Sequence, residues 1–198
     1  MQRADSRRAS RPPEPRAGGQ VGAGAGGAQR LILGAILAGG QSRRFGSDKA
    51  VALLDGARLI DLVRAQLAPH VDTVVVVGRD GGIADLPAPG LGPLGGIAAA
   101  LDHAAAHGFG CVLTLPCDTP RLPEPMLEAL TRRAPAYCSD APVIGFWPAV
   151  LRTNLLNRLG RAGADRSVAS WARSVGALPI ASPTPLANVN RPEDLMAL

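Results

Sequence analysis

Leu31-Ile32-Leu33-Gly34-Ala35-Ile36-Leu37-Ala38-Gly39-Gly40-Gln41-Ser42-Arg43-Arg44-Phe45-Gly46-Ser47-Asp48-Lys49-Ala50 joins an unbroken apolar run to a glycine-rich, cationic loop. Residues 31–38 are apolar without alternation, which predicts a strand covered on both faces. Gly39 and Gly40 follow at once. Adjacent glycines permit positive-φ backbone, and they let amide N–H groups gather round an anion. Arg43, Arg44 and Lys49 surround that nest with positive charge, so a triphosphate is the natural guest. The spacing is neither G-x-x-x-x-G-K-[ST] nor G-x-G-x-x-G, so this is a phosphate loop of another kind. Lys49 is the only lysine among 21 basic residues. A chain that otherwise uses arginine retains lysine where a compact, rotatable ammonium is needed. The plainer alternative is a solvated surface lysine, and the glycine-rich, cationic setting tips the balance to function. One of Arg43 and Arg44 is expected to face phosphate, and Phe45 to plug the loop.

Downstream, strands and helices alternate. Arg58–Leu67 has helical spacing, Thr73–Val77 is a β-branched strand, and Leu94–His107 is an alanine-rich helix. Cys111–Leu115 is a strand closed by Pro116, and Pro125–Arg133 a helix opened by proline. Pro142–Trp147 reads as a strand, Ala149–Leu159 and Ser167–Val175 as helices, and Ala177–Ile180 as a short strand. Pro192–Leu198 is a last helix. This alternation predicts an α/β fold of three layers, a mostly parallel sheet with helices on both faces. In such sheets ligands bind outside the carboxyl ends of the strands, so the loops after the first three strands are the candidates.

The third of these loops is Leu115-Pro116-Cys117-Asp118-Thr119-Pro120. A carboxylate at a strand's carboxyl end, between prolines that stiffen the turn, suits Mg²⁺, which favours one or two carboxylates plus substrate phosphates. Asp118 could instead cap the following turn through its own backbone; beside a phosphate loop the metal is the stronger reading. Cys117 has no adjacent histidine to activate it and reads as packing. The second loop ends in Gly92-Pro93-Leu94-Gly95-Gly96. Glycines opening a helix serve an anion or a close backbone approach, the alternative being a tight turn with close helix–sheet packing. Near the carboxyl terminus, Asn188-Val189-Asn190-Arg191-Pro192-Glu193 offers two carboxamides able to donate and accept. The same segment reads as a helix cap, with Asn190 and Glu193 in capping-box spacing. His70, His103 and His107 read as surface or packing residues.

Composition closes several other routes. The chain has 198 residues, of which 46% are hydrophobic and 3% aromatic, which predicts one domain with an aliphatic core. The formal charge is +5. Residues 1–30 carry six arginines against Asp5 and Glu14, a net +4 that leaves about +1 for residues 31–198. The basic excess thus lies in a tail rich in Arg, Pro, Gly and Ala that offers little to bury, expected to be disordered. A folded nucleic-acid binder would carry its basic patch on the domain, so no nucleic-acid partner is expected, the alternative being a tail that touches anionic surfaces. No apolar run approaches the ~20 residues needed to span a bilayer, so no membrane role is expected. Three cysteines without C-x-x-C spacing argue against disulfides or zinc and point to a reducing cytoplasm.

Leu37-Ala38-Gly39-Gly40-Gln41-Ser42-Arg43-Arg44-Phe45-Gly46-Ser47-Asp48-Lys49 resembles the signature loop of the molybdenum cofactor guanylyltransferases, L-A-G-G-x-S-x-R-M-G-x-D-K, with Phe45 in place of Met. Cys117-Asp118-Thr119-Pro120 resembles their D-x-P metal motif, Gly92–Gly96 their G-P-L-[AG]-G, and Asn188–Leu195 their N-x-N-T-P-E-[DE]-L. The four motifs run in the family's order from Leu37 to Leu195. The resemblance implies a Rossmann-like, nucleotide-diphospho-sugar transferase-like domain over residues 31–198. It implies transfer of GMP from GTP to the terminal phosphate of molybdopterin, with Mg²⁺ as cofactor. GTP would be held by Leu37, Ala38, Gly39, Gly40, Lys49, Asp85 and Asp118. Lys49, Arg44 and Asp118 would be catalytic, Asp118 would bind the metal, and Asn188 and Asn190 would face the acceptor. Asp85 is carried over because an Asp seven residues before the G-P-L motif contacts GTP in the family. The family's Asn after the second strand has no match, since Gly78 or Arg79 stands there. A cytidylyltransferase, or a guanylyltransferase with another phosphorylated acceptor, is the alternative. The protein is expected to be a cytoplasmic monomer that makes transient contact with cofactor-biosynthesis or molybdoenzyme-maturation proteins.

Overall fold

The structure, a computed structural model, describes residues 30–39 and 49–196. The expected tail up to residue 29 lies outside the described residues, as do Gly40, Arg43, Arg44 and Phe45.

The apolar run forms β1, Ile32–Leu37, buried over all but its first residue. Leu33, Ala35 and Leu37 join the core on one face of the sheet, and Ile36 joins the core on the other. This is the two-sided burial that an unalternating run predicts. After a 3-10 turn, Lys49–Val51, the chain forms a hairpin of β2 (Leu53–Leu54) and β3 (Ala57–Arg58). Its turn, Asp55-Gly56, has both residues at positive φ, the backbone that an Asp-Gly pair favours between antiparallel strands. Then follow α1 (Leu59–Leu67), a 3-10 turn at Ala68–His70 and β4 (Thr73–Val77). α2 (Pro93–Ala106), β5 (Cys111–Pro116), α3 (Glu124–Thr131) and β6 (Ala136–Cys138) come next. β7 (Gly145–Pro148), α4 (Arg152–Leu159), α5 (Val168–Ser174) and β8 (Leu178–Ile180) complete the alternation.

Six strands form one sheet in the order β4-β1-β5-β7-β6-β8. β1 is parallel to β4 and β5, and β6 is parallel to β8. Only β7 is reversed, antiparallel to β5 and β6. α2, α4 and α5 cover one face through Leu94, Ile97, Leu101, Leu155 and Trp171. α1 and α3 cover the other through Val63, Leu67, Met126 and Leu130. The three-layer α/β architecture is the one the alternation predicts.

Three expectations need correction. The strand expected at Pro142–Trp147 begins only at Gly145, because Ala141–Ile144 turn: the Ile144 amide donates to Ala141 O at 2.9 Å and the Cys138 amide to Ile144 O at 2.8 Å. The last helix, expected over Pro192–Leu198, is a 3-10 turn over Pro192–Met196. The core is mostly aliphatic but also takes in Tyr137, Phe146 and the fully buried Trp147 and Trp171, whose ring centroids lie 4.8 Å apart. The Trp147 indole N–H finds its partner at Thr114 Oγ1, 3.0 Å away, as a buried donor must.

From β1 the chain first crosses to β4 on one side and then to β5 on the other. The carboxyl ends of these three parallel strands therefore open together at the point where the direction of winding reverses.

Candidate active site

The loops after β1, β4 and β5 start side by side. The Ala38 amide donates to Val77 O at 2.9 Å, and the Cys117 amide to Leu37 O at 3.0 Å. Over this junction lies a cavity of about 410 Å³ whose walls include Leu37, Ala38, Gly39, Lys49, Asp118 and Asn188. Lys49, which begins the 3-10 turn, extends its ammonium to Asp118 Oδ2 at 3.2 Å and to Asn190 Oδ1 at 3.4 Å. Their side chains are 12% and 33% exposed for Lys49 and Asp118. Residues far apart in the chain thus meet at one charge pair. An ammonium has three N–H donors. Among the described residues two have acceptors, which leaves one for a bound phosphate.

The pair is braced from behind. The Val189 amide donates to Asp118 O at 2.8 Å, pinning the carboxyl-terminal loop to the loop after β5. The fully buried Thr119 donates from its hydroxyl to Asn188 Oδ1 at 2.7 Å. From α1, Gln66 clamps the same loop: its Oε1 accepts from the Leu122 amide at 2.7 Å and its Nε2 donates to Pro120 O. Arg121 reaches Asp55 of the hairpin turn at 2.7 Å. Where Glu193 was expected to complete a capping box, Asp194 does the work. Its Oδ2 accepts from the amides of Asn190 at 2.6 Å and Arg191 at 2.8 Å. Those two N–H groups, the Asn190 one foremost, hold the Asp194 carboxyl below the usual carboxylate range.

On the far side of Leu37, Gly39 and Pro93 the cleft widens into a second cavity of about 740 Å³, bordered by Gly78, Asp85, Gly92 and Gly96. Burial raises the Asp85 carboxyl above the usual range. Among the described residues its carboxylate has neither a hydrogen-bond nor an ion-pair partner. Glycines seat it. A Cβ at Gly95 would lie 3.3 Å from Asp85 Cβ, and one at Gly96 only 3.1 Å from Leu37 Cδ2. Of the two readings of the G-P-L-G-G segment, the structure therefore favours close packing, here of the Asp85 loop against α2. Gly78, standing where the family pattern has Asn, has φ +84°. A Cβ there would lie 2.6 Å from Gly39 Cα, so the loops after β1 and β4 touch backbone to backbone.

The structure thus brings Leu37, Ala38, Gly39, Lys49, Asp118 and Asn188 to one cavity wall, with Asn190 on Lys49. It puts Asp85 in the adjoining lobe. Gly40 and Arg44 belong to the expected set but lie outside the described residues. Cys117 is half-buried in the cavity wall and packs against the core. His103 and His107 stack on one another at the carboxyl end of α2, 4.0 Å between centroids, at the opposite end of that helix from the site. Thr119 and Gln66 were not singled out from the sequence. Thr119 could have been, since it stands inside the Asp118 motif; nothing local marks Gln66.

Among the described residues no three His, Cys, Asp or Glu side chains gather as a metal cage. A single partly exposed carboxylate beside an open cavity is instead the donor set of a cation that takes most of its ligands from water and substrate.

The family described as MobA-like NTP transferase domain matches residues 34–179. A molybdenum cofactor guanylyltransferase from Rhodobacter capsulatus is 40% identical over 177 residues, which span 83% of this chain and 93% of that protein. The crystal structure of molybdopterin-guanine dinucleotide biosynthesis protein A from Archaeoglobus fulgidus superposes with a TM-score of 0.64 at 23% identity, covering 83% of this chain and 95% of that one. A Mycobacterium tuberculosis protein crystallised in complex with manganese gives a TM-score of 0.57 at 14% identity over 85% of this chain and 97% of its own.

Proposed function

The chain belongs to the MobA-like NTP transferase family, and from that membership we propose that it transfers GMP from GTP to the terminal phosphate of molybdopterin, releasing pyrophosphate. The observation that carries this reading is the Lys49–Asp118 pair, 3.2 Å apart at the mouth of β1 and β5 and open to a cavity of about 410 Å³.

An acceptor phosphate oxygen attacks the α-phosphorus of GTP. The new P–O bond forms as the bond to the bridging oxygen breaks, and the electron pair leaves with pyrophosphate. No general base is needed, because a phosphate monoester, with its second pKa near 6, is already an anion at neutral pH. The protein's task is positioning and charge stabilisation. Lys49 answers negative charge that grows on the phosphates, with Arg44 assigned to the same role. The loop backbone at Leu37, Ala38, Gly39 and Gly40 cradles the nucleotide. Asp118 is the residue that would hold a divalent cation, which we assign as Mg²⁺. Bound there, the cation supplies charge neutralisation to phosphate oxygens. Asp85, which borders the adjoining lobe, is assigned to the guanine base, since a carboxylate can accept from both the ring N–H and the exocyclic amine of guanine, an edge that cytosine lacks. Asn188 and Asn190 hold the acceptor.

The test is competition. With molybdopterin present and GTP and CTP at equal concentration, mass analysis should find the guanine dinucleotide as the main product. A predominance of the cytosine dinucleotide would assign the enzyme to the alternative specificity.

A further inference from the structure

The acceptor reading leaves open what Asn188 offers to its ligand, since a carboxamide can present either its oxygen or its NH₂. The structure removes that freedom. Thr119, without solvent exposure, places its hydroxyl oxygen 2.7 Å from Asn188 Oδ1. That length is typical of O–H···O and short for N–H···O, so the hydroxyl donates and the amide oxygen accepts. The Thr119 hydroxyl has one proton. Its other acceptor, Asp118 Oδ1, is 3.3 Å away, beyond the usual O–H···O range. The next asparagine repeats the pattern: Asn190 Oδ1 accepts from Lys49 Nζ at 3.4 Å. Both carboxamide oxygens therefore accept from protein donors, and among the described residues neither Nδ2 has a partner.

We propose that Thr119 is a positioning residue: by bonding Asn188 Oδ1 it fixes the carboxamide so that Asn188 acts only as a donor, to a phosphate oxygen of the acceptor. The inference rests on the reading of Asn188 as an acceptor contact and gives that contact a polarity. A site built this way favours an anionic group over the N–H edge of a pterin ring. It also links acceptor binding to the metal loop, because Thr119 follows Asp118 directly and Val189 is bonded to Asp118 O.

The experiment is steady-state kinetics with molybdopterin and GTP varied in turn. Thr119→Val keeps the shape and removes the donor. It should raise the KM for molybdopterin by roughly ten-fold, the worth of one ordinary hydrogen bond, and leave the KM for GTP within about two-fold. Thr119→Ser should recover most of the loss, and Thr119→Val should add nothing in an Asn188→Ala background. Asn188→Asp keeps the oxygen that Thr119 bonds and replaces Nδ2 with an anion. It should raise the molybdopterin KM more than Asn188→Ala does, which keeps the test decisive if Thr119→Val fails to fold. An unchanged molybdopterin KM in Thr119→Val would overturn the proposal while the acceptor reading stood. So would equal losses for both substrates that Thr119→Ser does not recover, or an Asn188→Asp variant that binds molybdopterin as well as wild type. If Asn188→Ala itself leaves the molybdopterin KM unchanged, the acceptor reading falls and takes the proposal with it.

Discussion

Lys49 places a compact ammonium between a carboxylate and a carboxamide oxygen. Its side chain is 12% exposed and its Nζ lies between Asp118 and Asn190. A planar, bulkier group that spreads its charge cannot reproduce that contact. Removing a stabiliser of a developing oxyanion typically costs roughly 10²–10³ in turnover. Lys49→Ala should lose at least that and Lys49→Arg an appreciable part, measured as kcat at saturating GTP. Arg132→Lys is the control, since that side chain is 79% exposed and only 3.9 Å from Glu128, a surface pair of little energetic worth. Asp118→Asn keeps the shape and removes the charge, so it should abolish Mg²⁺-dependent turnover with the circular dichroism spectrum unchanged. Asp85 combines a cost with a use. Burial raises its carboxyl pKa, so its effect on stability is absent below the unfolded value of about 4 and grows as pH rises toward the folded one. Asp85→Asn should therefore raise the melting temperature at pH 7, the gain should vanish below pH ~4, and the preference for GTP over CTP should shrink. A lowered melting temperature at pH 7 would count against the burial argument, and an intact preference against the base contact.

At the scale of elements, the contact between the loops after β1 and β4 is the most exacting feature of the site. Gly78→Ala would force a side chain onto Gly39 at φ +84°. Strain of that kind costs roughly 1–3 kcal/mol, so both denaturant stability and GTP affinity should fall, whereas a wild-type KM for GTP would mean that this contact does not shape the nucleotide lobe. The carboxyl-terminal loop has a pH dependence of the opposite sign to Asp85. The Asp194 carboxyl pKa is lowered, so its cap is in force above about pH 4 and is lost as pH falls through the folded value. Exchange protection of the Asn190 and Arg191 amides should disappear in that acid range. These elements also mark what a sequence can and cannot display. β1 was legible because eight apolar residues admit few other interpretations, and Lys49 and Asp118 because their neighbours are chemically unusual. β2, β3 and β6 were not, since two or three residues hold no period. The clamp of Gln66 on the loop after β5 spans more than fifty residues and has no local sign. Asp194 was passed over for Glu193 because the cap was expected at Asn190, whereas the 3-10 turn starts at Pro192 and puts its cap at Arg191, three residues before Asp194.

For the molecule as a whole, the sequence divides charge from chemistry. The basic excess lies in residues 1–30, and every described site residue lies between Leu37 and Asn190. The composition of the tail gives it little apolar surface to bury. We expect deletion of residues 1–29 to leave melting temperature and turnover nearly unchanged, and a marked fall in either would show that the tail contributes to the domain. Among the described residues no helix is long and apolar enough to cross a membrane. The proposed function sets two phosphorylated substrates around one charge pair, and its most direct measure is pyrophosphate release by the purified protein from GTP, with and without molybdopterin. Release from GTP should depend on molybdopterin and exceed that from CTP under the same conditions. Absence of molybdopterin-dependent release from GTP would contradict the proposed reaction.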